Sequence, residues 1–272
     1  MTTIARSLAV SALAPVDAQV LLAHVLGRSR AWLVAHADDA LAPHDAAAFA
    51  ALVERRRRGE PVAYLTGTRE FFGLSLTVSP AVLIPRPETE TLVEVALARL
   101  PLNGSPRVLD LGTGSGAIAL AIARERPEAR VYACDACAEA VRVAHANAQR
   151  LGLFNLRFFV SDWYADVPAL PFDVIVANPP YIVAGDPHLD QGDLRFEPVA
   201  ALSPGGDGLP ALRAIVAGAP ARLAPGGLLA VEHGYDQPGP VRSLFGEAGF
   251  LAIVTHADLA GHARVTRGDA RA

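Results

Sequence analysis

A chain of 272 residues, 51% hydrophobic and 19% charged, has the make-up of a folded globular protein and is long enough for one large or two modest domains. Its formal net charge of −4 argues against a surface built to grip a long stretch of nucleic-acid backbone. All 24 basic residues are arginine, which excludes a lysine Schiff base and a P-loop lysine.

Cys134 and Cys137 are the only cysteines, too few for a disulfide framework and without a second pair to complete a zinc site. They read as small residues at the end of a buried strand, a redox dithiol being the competing reading. No metal site is expected. No apolar run reaches the ~18 residues that span a bilayer, and Leu8–Leu13 falls short of a signal peptide. A soluble protein of the reducing cytoplasm is the expectation.

Residues 1–60 read as a helical domain. Proline at a helix start (Pro15) precedes an apolar stripe of Val20, Leu21, Leu22, Val25 and Leu26. Pro43 opens a second helix that runs into Arg55–Arg58 and stops at Gly59. Four arginines there complement the helix dipole and read as a solvated face. From Pro61 the pattern changes. Tyr64–Gly67 and Leu74–Val78 alternate around Gly73, as in a β-hairpin over 61–83 that links two domains. Ile84–Glu90 then opens a helix, with proline and acids at its start.

Over 84–272 strand and helix alternate. Strands are expected at Arg107–Leu111, Arg130–Cys134, Leu156–Val160, Phe172–Ala177, Leu228–Glu232, Leu251–Thr255 and Ala263–Arg267. Alternating βα units imply a mainly parallel sheet, helices on both faces, and a ligand outside the carboxyl ends of the strands.

Asp110-Leu111-Gly112-Thr113-Gly114-Ser115-Gly116-Ala117 is a strand running through a glycine-rich turn into a helix. The glycines let a ligand approach backbone N–H groups that a Cβ would shield. Gly112, Gly114 and Ala117 also satisfy a dinucleotide fingerprint, and Asp135 ends the next strand about 20 residues on, where an acid accepts from ribose hydroxyls. NAD and S-adenosylmethionine both fit this much. Asp110 favours S-adenosylmethionine, because an acid at the strand tip can face a cationic methionine end but would repel a pyrophosphate. Asp162-Trp163 follows the third strand, an acid and an aromatic suited to adenine.

Asn178-Pro179-Pro180-Tyr181 follows the strand Phe172–Ala177 and so shares a sheet edge with the glycine turn. Two prolines remove two donors and stiffen the chain, leaving the carbonyl before Pro180 free of a local partner. The Asn178 side-chain oxygen is a second acceptor and Tyr181 an aromatic face. An amide or aromatic amine nitrogen is a poor nucleophile because its lone pair is delocalised. Two acceptors can hold its two N–H groups, raise electron density on nitrogen and aim it at a sulfonium methyl. Asn178, Pro179 and Tyr181 are therefore the candidate catalytic residues, with Pro180 beside them for substrate binding.

Nearly the whole chain resembles the protein-(glutamine-N5) methyltransferases that modify class I peptide chain release factors (the HemK/PrmC type). The resemblance runs through Leu21–Gly27, Arg58–Gly67, Glu70–Gly73, Leu83–Glu90, the glycine turn, Asn178–Tyr181, Phe196–Pro198, Gly205–Leu209 and Asp258–Arg264. It implies a class I S-adenosylmethionine-dependent methyltransferase: a Rossmann-like, seven-stranded mostly parallel sheet with a small N-terminal helical domain and a β-hairpin linker. It implies that Gly112–Gly116, Asp135, Trp163 and Asn178 contact the cofactor and that Asn178–Tyr181 hold the substrate glutamine, that of the GGQ motif. It also implies that the N-terminal helices recognise the release factor. Ala136-Cys137-Ala138 departs from the Ser-Pro-like helix start of relatives.

Asn-Pro-Pro-Tyr alone is shared with amino-methyltransferases acting on adenine or cytosine, which is the alternative enzyme. That enzyme would want a basic groove and a sizeable recognition domain, because its target base is flipped out of a helix. The acidic balance counts against it, so no stable nucleic-acid binding is expected. A non-catalytic module binding a translation factor is a third reading, disfavoured by the intact glycine turn, Asp135 and Asn178.

Overall fold

The computed structural model describes residues 2–272. The chain divides into two compact units, one of residues up to Thr68 with Asp190–Phe196, the other of Arg69–Leu189 with Glu197–Ala272.

The first unit holds helices α1 (Ile4–Val10), α2 (Pro15–Leu26), α3 (Arg30–Ala35), α4 (Pro43–Arg57) and α5 (Val62–Thr66). Pro15 and Pro43 occupy first turns, where the missing N–H is no loss, and Gly27 closes α2 in the left-handed conformation. Ile4, Leu21, Leu22, Leu33, Phe49, Val53 and Leu65 form one apolar core. Tyr64–Gly67, expected as a strand, lies at the end of α5. Pro61 caps that helix, left-handed Gly67 ends it, and Leu65 turns into the helical core.

Arg55–Arg58 correct a second expectation. Arg56 reaches Asp17 and Asp193, each at 2.8 Å, and donates to the Glu60 carbonyl at 3.2 Å. Arg57 donates to the Ser11 carbonyl at 2.8 and 3.2 Å. The dipole argument places charge at the end of α4, but adjacent positions on a helix face different ways. Here two of the four point inward to acceptors.

The second unit begins with the hairpin β1 (Thr68–Phe71) and β2 (Leu74–Thr77). Phe71, Leu74 and Leu76 are buried in this unit's core, so the hairpin is part of its packing and not a free-standing linker over 61–83. The helices are α6 (Glu90–Arg99), α7 (Ala117–Glu125), α8 (Ala138–Leu151), α9 (Val199–Leu202), α10 (Pro210–Gly218) and α11 (Pro238–Glu247). The strands are β3 (Arg107–Leu111), β4 (Arg130–Asp135), β5 (Leu156–Val160), β6 (Phe172–Ala177), β7 (Leu223–Glu232), β8 (Leu251–Ala257) and β9 (Ala263–Asp269).

They form one seven-stranded sheet in the order β5-β4-β3-β6-β7-β9-β8, with β9 antiparallel to both neighbours. Central strands β3 and β6 are buried on both faces, as their continuous apolar runs require. One core packs α6 and α7 on one face; the other packs α10 and α11 on the opposite face. From β3 the chain goes to β4 on one side, while β6 lies on the other, so a crevice opens at the carboxyl ends of these three strands. Among the described residues no helix is long and apolar enough to cross a membrane.

Candidate active site

At that crevice lies a cavity of ≈ 270 Å³. Gly112, Thr113, Gly114, Ser115, Asp135, Asp162, Trp163, Asn178 and Pro180 line it, along with Val82, Leu83, Arg86 and Thr89 from the chain before α6.

The glycine turn is built around two carboxylates. Asp135 Oδ2 accepts the Gly114 amide at 2.9 Å and Oδ1 accepts the Cys137 amide at 2.9 Å. The second bond holds the amide of Cys137, the residue that precedes α8 and supplies no side-chain cap to it. Asp110 departs from expectation. It is fully buried and outside the lining; its Oδ2 accepts from the Thr113 hydroxyl at 2.7 Å and the Ala119 amide at 3.2 Å. Alternation along β3 turns this side chain beneath the loop and away from the cleft. Burial pushes its pKa up to about 7. Gly116 is also outside the lining. With φ +87° it packs so close to α7 and α8 that a Cβ would meet Leu120 at 2.9 Å and Ala144 at 3.1 Å. Its role is helix packing.

Trp163 adopts φ +47°, rare for a non-glycine residue. The Ser161 hydroxyl donates to its carbonyl at 3.0 Å and Cys134 Sγ approaches the same oxygen at 3.4 Å. This turn brings the indole over the glycine loop, where a Cβ on Gly112 would stand 3.5 Å from the ring. Cys134 is buried, with its thiol pushed up to about 12 by burial, and Cys137 is exposed.

Asn178 and Pro180 line the cavity; Pro179 is buried behind them and Tyr181 lies outside the lining. Asn178 Nδ2 donates to Thr89 Oγ1 at 3.1 Å, which leaves the Asn178 Oδ1 acceptor for the cavity. The Tyr181 hydroxyl donates to Glu232 Oε1 at 3.3 Å, and burial with that neighbouring charge raises its pKa. Gln237 Nε2 holds the Tyr181 carbonyl at 3.0 Å. Gly208 has φ +77°, and a Cβ there would sit 2.4 Å from that carbonyl, which explains the glycine in Gly205–Gly208. Arg86 pairs with buried Glu197, whose Oε2 also accepts the Ile84 amide at 2.9 Å.

Thr89, Glu197 and Glu232 were missed as site residues. Thr89 and Glu197 stood inside motifs the sequence displayed, Leu83–Glu90 and Phe196–Pro198. Glu232 had one local signal, an acid at the end of an apolar strand.

The lining suits S-adenosylmethionine. A glycine turn and two carboxylates, Asp135 and Asp162, lie beside an aromatic face, and glycine at 112 keeps the groove under the indole open where a Cβ would begin to fill it. Fold and cleft together define a class I S-adenosylmethionine-dependent methyltransferase. The chain matches the PrmC N-terminal domain over residues 2–67 and the Methyltransferase small domain over residues 89–207. It is 56% identical over 253 residues to the release factor glutamine methyltransferase of Xylella fastidiosa (strain Temecula1), covering 93% of this chain and 92% of that one. To the same enzyme of Burkholderia pseudomallei it is 54% identical over 272 residues, covering 98% and 95%. The chain belongs to the release factor glutamine methyltransferase family. Among solved structures, the Thermus thermophilus 16S rRNA N2 G1207 methyltransferase, in complex with AdoMet and guanosine, aligns with a TM-score of 0.53 at 25% identity, covering 75% of this chain and 50% of that one.

Proposed function

We propose that this protein transfers a methyl group from S-adenosylmethionine to the side-chain N5 of a glutamine, that of the GGQ motif in class I peptide chain release factors. The observation that carries the chemistry is the Asn178 amide, held by Thr89 with its oxygen toward the cavity beside the glycine turn. The choice of protein substrate rests on relatives of that name at more than half identity over almost the whole chain.

When bound, the cofactor supplies an electrophilic methyl on a sulfonium. Asp135 would accept from its ribose hydroxyls, Asp162 and Trp163 would hold the adenine, and the Gly112–Ser115 turn would stand against the amino-acid end. Asn178 Oδ1 and the Pro179 carbonyl each accept one N–H of the glutamine amide. This fixes the nitrogen's direction and increases its electron density. Pro180 walls the site, and a dry wall favours a transition state in which the sulfonium loses its charge. The helical unit up to Thr68 recognises the release factor.

The test is incubation of the purified protein with labelled S-adenosylmethionine and a class I release factor, followed by mass spectrometry to locate the label. A methylated GGQ glutamine is expected, with Asn178→Ala lowering turnover at least ~100-fold at nearly unchanged cofactor affinity. Label found in DNA or RNA instead would overturn the assignment.

A further inference from the structure

We propose that Gln237 and Gly208 are positioning residues that set where the Asn178–Tyr181 segment presents its acceptors. The inference rests on the assignment of Asn178 and Pro179 to the glutamine amide.

Pro179 and Pro180 carry no N–H, so no backbone donor within the pair ties the segment to its surroundings. The place of the Pro179 carbonyl is therefore set from the two ends. At one end Asn178 Nδ2 donates to Thr89 Oγ1 at 3.1 Å. At the other, the backbone of Tyr181 is held on both sides. Its N–H donates to the Leu202 carbonyl at 3.2 Å, and its carbonyl accepts from Gln237 Nε2 at 3.0 Å. The fixed φ angles of the two prolines carry that placement back along the chain.

Gln237 is buried, and both ends of its side-chain amide are committed. Oε1 accepts the Gly234 N–H at 2.9 Å while Nε2 donates to the Tyr181 carbonyl. A backbone N–H can only donate and a backbone carbonyl can only accept, so this amide has one orientation. The Gln237 N–H closes the same turn on the Gly234 carbonyl at 2.9 Å. Gly234 lies just past the end of β7, the strand beside β6 from which Asn178 emerges, so the anchor stands on the sheet itself. Gly208 bears on the same oxygen. A Cβ there would lie 2.4 Å from the Tyr181 carbonyl oxygen and 3.0 Å from Gln237 Nε2, whereas ordinary contact begins at 3.4 Å. A methyl group would thus push the end of the segment by ~1 Å, a misplacement that can cost ~100-fold in rate. A donor with one orientation and a position open only to hydrogen converge on one oxygen at the far end of the motif from Asn178.

The test uses the full chain with release factor and S-adenosylmethionine. Gln237→Glu keeps the shape and the acceptor for Gly234, and sets an oxygen against the Tyr181 carbonyl. It is expected to lower kcat ~10–100-fold with the cofactor Kd by calorimetry within about twofold. Gly208→Ala is expected to lower kcat by a similar factor. The double variant should lose no more than ~3-fold beyond the worse single one, because both changes act on one oxygen. Wild-type kcat in Gln237→Glu overturns the proposal, as do losses that multiply in the double variant or a cofactor Kd that weakens in step with kcat. If Gln237→Glu does not fold, Gln237→Met, which removes the donor without adding a charge, takes its place under the same outcomes. Failure of the underlying reading is separate, because Asn178→Ala would then keep its activity.

Discussion

The Thr113 hydroxyl donates to Asp110 Oδ2 at 2.7 Å, so the glycine turn is tied from below to a carboxyl that no solvent reaches. Desolvation of that carboxyl raises its pKa to about 7 from 3.8. Through this window the folded state holds a proton that the unfolded state has released. Stability from this group is therefore present in full below pH ~4 and is lost as pH rises through ~7. Asp110→Asn does not titrate, so the variant should gain on the wild type by a few degrees in Tm between pH ~4 and ~7.5. A difference in Tm that stays constant across that range contradicts the shift.

Asp135 combines two tasks, holding the Gly114 and Cys137 amides and offering its remaining lone pairs to the cleft. Asp135→Ala removes two charge-assisted bonds along with the ribose acceptor. Each is worth about 1.5–3 kcal/mol, so S-adenosylmethionine should bind at least ~10–100-fold more weakly. Titration calorimetry giving a wild-type Kd would remove the assignment.

Arg56 and Arg58 separate a structural arginine from a solvated one. Arg56 lies 2.8 Å from each of Asp17 and Asp193, whereas Arg58, with 68% of its side chain exposed, is 3.9 Å from Glu54. Arg56→Ala leaves two carboxylates and two carbonyls short of a donor, and a loss of about 1–2 kcal/mol is expected. Arg58→Ala should stay within ~0.5 kcal/mol of wild type. Urea unfolding of the two variants side by side would reveal equal effects if the distinction were wrong.

Asn147 on α8 is completely buried and joins the hairpin to the glycine turn. Its Oδ1 accepts the Thr77 amide at 2.8 Å, and its Nδ2 donates to the carbonyls of Thr77 at 2.9 Å and Ser115 at 3.0 Å. Asn147→Leu should cost about 2–4 kcal/mol, because three backbone groups lose partners, one of them buried, and should also weaken cofactor binding by loosening Ser115. Denaturation with and without S-adenosylmethionine separates the two effects. An unaltered Tm would show that the bridge carries little.

Elements whose fate is decided by neighbouring residues were legible along the chain. β3, β5 and β6 match their expected bounds, since a short apolar run between turn residues has few other ways to bury itself in a parallel sheet. Asn178 and the glycine turn meet at one edge because both follow strands of that sheet. The segment before β1 was read the wrong way. Tyr64–Gly67 alternates, but Pro61 and Gly67 bracket one short helix, and caps outweighed alternation.

Residue types in order thus determined the sheet, the cleft edge and the place of Asn178–Tyr181 along it, since these depend on period, turn chemistry and chain direction. Tertiary structure decided which acids reach the cavity: Asp135, the last residue of β4, lines it, and Asp110, one residue before the end of β3, lies beneath it. It also decided that Arg56 would be tied down and that Thr89 would hold Asn178. Those pairings join residues remote in sequence, and their strength comes from exclusion of water, a property of the packed whole and not of any local stretch.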